Sequence, residues 1–129
     1  MSANPADRRI YIDPADVGRA LSDLQNSTAN ALTARAGGGQ ASATLCTADF
    51  NRFTTVASAA DSALLPAAVA GRDVVVVNAA ATNAMNIFPA TGESINALSA
   101  NTAISLAAGG KAMRFFCVVN GTWNSMLGA

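Results

Sequence analysis

The sequence predicts a mainly β fold, a small antiparallel β-sandwich or barrel of jelly-roll type, preceded by an N-terminal arm and one α-helix. Three observations predict it. Apolar runs of four to eight residues, rich in β-branched or aromatic side chains, recur from Ala43 almost to the end of the chain. Each run is closed by Gly, Asn or Pro, which supply the backbone conformations that turns require. Ahead of them lies a stretch whose apolar residues recur at alternating spacings of four and three.

The arm is Asp7-Arg8-Arg9-Ile10-Tyr11-Ile12, in which charged and apolar residues are segregated in a way that suits strand addition to a neighbour or a bed on a partner surface. Asp13-Pro14-Ala15-Asp16 is a helix start, with Asp13 as cap, Pro14 at the first helical position and Asp16 at the positive end of the dipole. A helix over residues 14–35 is predicted, because Val17, Leu21, Leu24, Thr28 and Ala31 share one stripe while Arg19, Asp23, Asn26 and Asn30 fall elsewhere. Gly37-Gly38-Gly39-Gln40 ends it as a hinge. The predicted organisation is therefore 1–40 as arm, helix and hinge, and 41–129 as the β-module.

Nine strands are expected in the module: Ala43–Cys46, Arg52–Ala57, Ser62–Leu65, Val74–Asn78, Ala84–Phe88, Ser94–Leu98, Ala103–Leu106, Met113–Val119 and Thr122–Leu127. The run Asp73–Asn78 lacks alternation, which predicts burial on both faces, whereas Ala103–Leu106 alternates and predicts one wet face. Asn120-Gly121 favours a type I′ turn, so the last two strands are expected to pair antiparallel.

At 129 residues the chain is one domain's worth, able to bury about two-thirds of its unfolded surface. Its apolar half is dominated by alanine, which buries little area per residue, so an oligomer with a shared core is expected. Eight basic residues balance eight acidic ones. Such a chain exerts no long-range pull on nucleic acid or on an anionic membrane. No apolar leader and no run of roughly 18 apolar residues is present, so neither a signal peptide nor a membrane span is expected.

The chemistry-bearing residues are sparse. There is no His, and Asp49, Asp61, Asp73 and Glu93 never stand as a close pair. No nucleophile and base arrangement, no phosphate loop and no CxxC pair is present, which argues against an enzyme, a cofactor or a metal site. Cys46 and Cys117 fit as small buried hydrophobes. Trp123, beside the Asn-Gly turn, is expected to pack over the end of the β-module rather than to bind a ligand.

Leu65-Pro66-Ala67, Gly71, Val74-Val75-Val76-Val77-Asn78, the segment Asn86 to Asn96, Leu106-Ala107-Ala108-Gly109 and Asn120-Gly121-Thr122-Trp123 together resemble a β-module of tailed-bacteriophage structural proteins. That module is found in head decoration (cement) proteins and in tail-fibre or spike appendages, and the likeness covers roughly residues 60 to 127. It implies a non-enzymatic virion protein, often trimeric. A single module behind a short docking segment suits a capsid decoration protein on the outer surface of the head, with the major capsid protein as partner. The alternative is a tail or head-fibre appendage that binds a host-surface receptor. The residues expected to contact capsid or neighbouring subunits are Arg8, Arg9, Ile10, Tyr11, Ile12, Val17, Leu21 and Leu24.

Overall fold

Short apolar runs separated by tight corners let a chain alternate between two sheets, and that is the arrangement found. The computed structural model describes residues 26–128. The first strand, β1 (Thr28–Thr33), lies in one sheet and β2 (Thr44–Leu45) in the other, with a single 3-10 turn at Gln40–Ser42 between them. The alternation repeats with β3 (Phe50–Thr55) and β4 (Ser62–Leu64), then with β5 (Asp73–Asn78) and β6 (Met85–Phe88). Four further strands follow: β7 (Ser94–Ile95), β8 (Ile104–Leu106), β9 (Lys111–Val119) and β10 (Thr122–Leu127).

The larger sheet has the order β1-β3-β5-β9-β10-β7 and the smaller β2-β4-β6-β8. Within them β1, β3 and β5 run parallel, as do β2, β4 and β6. Each β-pair is thus one coil of a solenoid-like stack, three coils deep. The stack ends where β8 and β9 turn back antiparallel onto β6 and β5. Hairpin β9–β10 then carries the larger sheet outward, with β7 parallel on its far side.

This corrects the expected antiparallel, jelly-roll-like sandwich or barrel. Strand positions follow from local pattern, and the nine expected runs all contain or overlap strands. Pairing direction follows from the connections between strands: here each link crosses to the opposite sheet and returns one rung higher, which makes successive strands of a sheet parallel.

The helix expected over residues 14–35 is corrected too. Residues 28–33 are strand β1, paired with β3, and among the described residues there is no α-helix. Thr28, Asn30 and Thr33 are weak helix formers that a ladder partner readily draws into a strand. Ala31 has φ of 58°, which no helix accommodates, and it lies in the shifted register between Ala29 and Leu32. The segment before residue 26 lies outside the described residues.

The core lies between the sheets. Phe53, Val76, Phe115 and Trp123 enter it from the larger sheet, and Ala63, Ile87 and Leu106 from the smaller, all fully buried. Trp123 is packed inside, donating Nε1–H to the Pro66 carbonyl at 3.3 Å. Strand β5 is not buried on both faces as its valine run suggested: Val74 and Val76 point inward, while Val75 and Val77 are half-buried on the outer face. Nor is the Asn120-Gly121 turn type I′, since only Gly121 has positive φ, at 90°. A register shift between Thr122 and Trp123 absorbs the difference.

Buried polar side chains hold the corners. Asp61 accepts from Gly37 N–H at 3.1 Å and from Ser58 N–H at 3.0 Å, tying the second coil to the first. Asn51 brackets Ala48 through both N–H and C=O and donates to Val75 of the third coil. Asn78 accepts from Ala80 N–H and donates to Asn83 and Leu106 carbonyls. Beside Asp61, the buried Ser62 hydroxyl has no hydrogen-bond partner among the described residues.

These neighbours should therefore respond oppositely to truncation. Asp61→Ala leaves two N–H groups unpaired and is expected to cost about 3 kcal/mol, whereas Ser62→Ala should be neutral or slightly stabilising. Urea unfolding of both variants checks this, and equal losses would show that the Asp61 staple is not what holds the corner.

Candidate functional site: an apolar docking surface

Alternation along a strand sends every second side chain to the outer face, so an uninterrupted apolar run exposes apolar groups wherever no further layer covers that face. The pairing register aligns Phe50, Val75, Arg114 and Met126 in one row across β3, β5, β9 and β10. Phe50 and Met126 are exposed, and Val75 and Phe116 are half-buried. Arg114 divides the face. Its guanidinium makes a forked contact with Asp73, at 2.8 Å for the shortest arm, and lies 5.6 Å from the Phe116 ring centroid. The hydrogen bonds that Arg114 donates to Asp73, and then the charge of Asp73, raise the Arg114 pKa above its ordinary value. Arg114 thus stays cationic wherever the protein is folded.

On one side of this divider the hairpin carries Val118, Val119, Met126 and Leu127, each 56–67% exposed. Val118 and Val119 stand at its turn end, Met126 and Leu127 at the other. The outer backbone edge of β10 is covered by β7 only at Thr122 and Trp123, and the Asn96 side chain extends that cover to Ser125. On the other side, Phe50 and Val69 stand at the corner where β3 and β5 begin, around a cleft that also includes Asp49 and Arg72.

The remaining carboxylates among the described residues have structural partners. Asp49 accepts from Ser27 N–H and Oγ–H, and Glu93 accepts from Ala68 N–H at 2.9 Å. No cluster of three or more metal-ligating side chains exists among the described residues. Cys46 and Cys117 are both buried free thiols.

The contact residues expected from sequence, Arg8, Arg9, Ile10, Tyr11, Ile12, Val17, Leu21 and Leu24, lie outside the described residues. The apolar surface on β3, β9 and β10 was not among those expectations. Its signal was present: Val118-Val119 and Met126-Leu127 are adjacent apolar pairs flanking a turn, and one member of each must face water. Comparison with known proteins returned no matching family model, no similar curated protein and no similar solved structure.

Burial pushes the Cys46 thiol up from its ordinary 9.0 to about 12. Folding holds the thiol neutral while the unfolded chain releases its proton above about pH 9, so stability is intact below that pH and falls as pH rises toward 12. Cys46→Ala should flatten this decline, read as the change in urea midpoint between pH 8 and pH 10.5. Equal slopes in both proteins would mean that Cys46 ionises as freely folded as unfolded.

Proposed function

We propose that this chain is a non-enzymatic virion structural protein, a bacteriophage capsid decoration (cement) protein. It binds the major capsid protein lattice on the outer surface of the head and stabilises it. The observation that carries this reading is the exposed apolar surface on the β9–β10 hairpin, set on a densely packed body with few charges. The hairpin carries an exposed apolar pair at each of its two ends, and we read these exposed apolar groups as sites to be covered by protein. The resemblance read in the sequence over roughly residues 60 to 127 suggests the kind of partner. The composition favours a homo-oligomer, a trimer, in which some of this surface is shared between copies. No cofactor, nucleic acid or membrane enters the mechanism: docking converts buried apolar area into lattice cohesion.

A second reading is an appendage module binding a host-surface receptor. Its support is the coiled stack, an architecture that lengthens by adding rungs and suits a shaft.

Linkage distinguishes them. A cement protein binds the assembled lattice, so it raises the temperature at which heads rupture. Heads lacking this protein are expected to rupture at lower temperature while adsorbing normally to cells. Full thermal stability with lost adsorption would establish the appendage reading instead. Within the decoration reading, Val118→Asp and Met126→Asp should each weaken binding to undecorated heads by at least tenfold, measured by co-sedimentation, because a charge pressed into an apolar contact is left unpaired.

A further inference from the structure

The far edge of the larger sheet is closed by one short segment of the chain. Strand β7 lies parallel to β10, with Ser94 N–H donating to the Gly121 carbonyl at 3.2 Å and Asn96 N–H to the Trp123 carbonyl at 2.7 Å. In a regular parallel ladder the next bond would join Ser125 N–H to the Asn96 carbonyl. Asn96 instead has φ of 55°, in the left-handed region, so the main chain turns off the ladder there. Its side chain takes over that rung: Oδ1 accepts from Ser125 N–H at 3.0 Å, and Nδ2 donates to Ser125 Oγ at 2.8 Å.

The outer side of β7 is covered by the residues that follow. Leu98 N–H donates to the Ile95 carbonyl and Asn101 N–H to the Glu93 carbonyl. Asn101 is fastened in turn, its Oδ1 accepting from Gly92 N–H at 2.6 Å and from Gln40 Nε2 at 3.0 Å.

We propose that residues 96–101 are an edge cap with Asn96 as its stop, and that the edge it closes would otherwise pair with β10 of a second copy. An edge strand related to its own copy by a two-fold axis pairs antiparallel with itself, because each N–H of one copy meets a carbonyl of the other. Such backbone accepts a further strand readily. Met126 and Leu127 beside the stop are 56% and 62% exposed, so apolar contact would add to the pairing, and a net charge of zero puts no long-range repulsion in its way. Another strand in place of Asn96 would satisfy Ser125 equally well but present a fresh edge. A side-chain amide satisfies it and ends the series. Copies of this chain are thereby left to meet through side chains rather than by extending the sheet.

Hydrogen exchange and sedimentation of the full chain test the stop. In the parent protein the Ser125 amide is expected to exchange slowly, as ladder amides do. Asn96→Gly removes the side chain while suiting the left-handed backbone. In dilute solution it should speed Ser125 exchange about tenfold, the loss of one hydrogen bond. At higher concentration it should form species larger than the parent's, in a share that rises with concentration. Adding Ser125→Pro removes the edge N–H and should abolish that extra association. Emission from Trp123, the single tryptophan, reports that the core stays packed in each variant. Parent-like sedimentation of Asn96→Gly would overturn the proposal, and so would association that survives Ser125→Pro, because side chains rather than the β10 edge would then make the contact. A parent Ser125 amide that exchanges as fast as in the unfolded chain would overturn it without any variant.

Discussion

A chain that crosses between two sheets at every corner leaves backbone groups there with no ladder partner, and burying them unpaired would undo much of what the core gains. Asn51, Asp61 and Asn78 meet this constraint. All three are essentially fully buried, and their side chains accept from or donate to the backbone of the corners. Several of these bonds also reach a neighbouring coil: Asp61 to Gly37, Asn51 to Val75, and the half-buried Asn83 to Val56 and Ala57. The corners are thus bonded along the stacking direction, and coil spacing is set by polar side chains as much as by the parallel ladders.

A parallel stack must also end, because its terminal rungs present unpaired backbone that invites another strand. The C-terminal end is closed by reversal, with β8 and β9 antiparallel to the last coil. Among the described residues, the first coil's edges are irregular or short. Its β1 edge is broken by the shifted register around Ala31, and β2 is only two residues long. A non-glycine residue in the left-handed region costs about 1 to 2 kcal/mol, so Ala31 stores strain where a regular edge would be a hazard.

Strand positions after residue 43 were legible in the sequence, as was the antiparallel pairing of β9 with β10, but the parallel pairing of the coils was not. The run Val74–Val77 and the turn at Asn120-Gly121 carry local chemistry, and both fall where expected. Coil register leaves a much fainter trace. Thr28 stacks on Phe50 and Phe50 on Val75, offsets of 22 and 25 positions, while Phe53 stands against Asn78. Residues that share a rung position differ in size and polarity, and the coils differ in length, so no repeat is visible in the letters. The expected helix failed at its C-terminal part for a related reason: the spacing of Thr28 and Ala31 matched a helical stripe, yet a ladder partner 22 residues away decided the outcome. The exposed apolar groups followed the same rule, since the outward direction of Val118 and Met126 depends on register rather than on composition.

The distribution of apolar surface divides the molecule by task. Inward positions of the two sheets are filled and sealed, from Phe53 through Trp123. Outward positions are divided by the Arg114–Asp73 pair, which keeps a fixed, hydrated charge in the middle of the larger sheet. A continuous apolar face there would invite indiscriminate association, whereas two patches on either side of a charge admit partners only in orientations that leave Arg114 and Asp73 hydrated or paired. Strand β9 is bonded to β10 along most of its length and to β5 from Lys111 to Phe116. Strand pairing of this kind lowers the ordering cost of binding, so a partner that covers the outer face of β9–β10 loses little in fixing the backbone it meets.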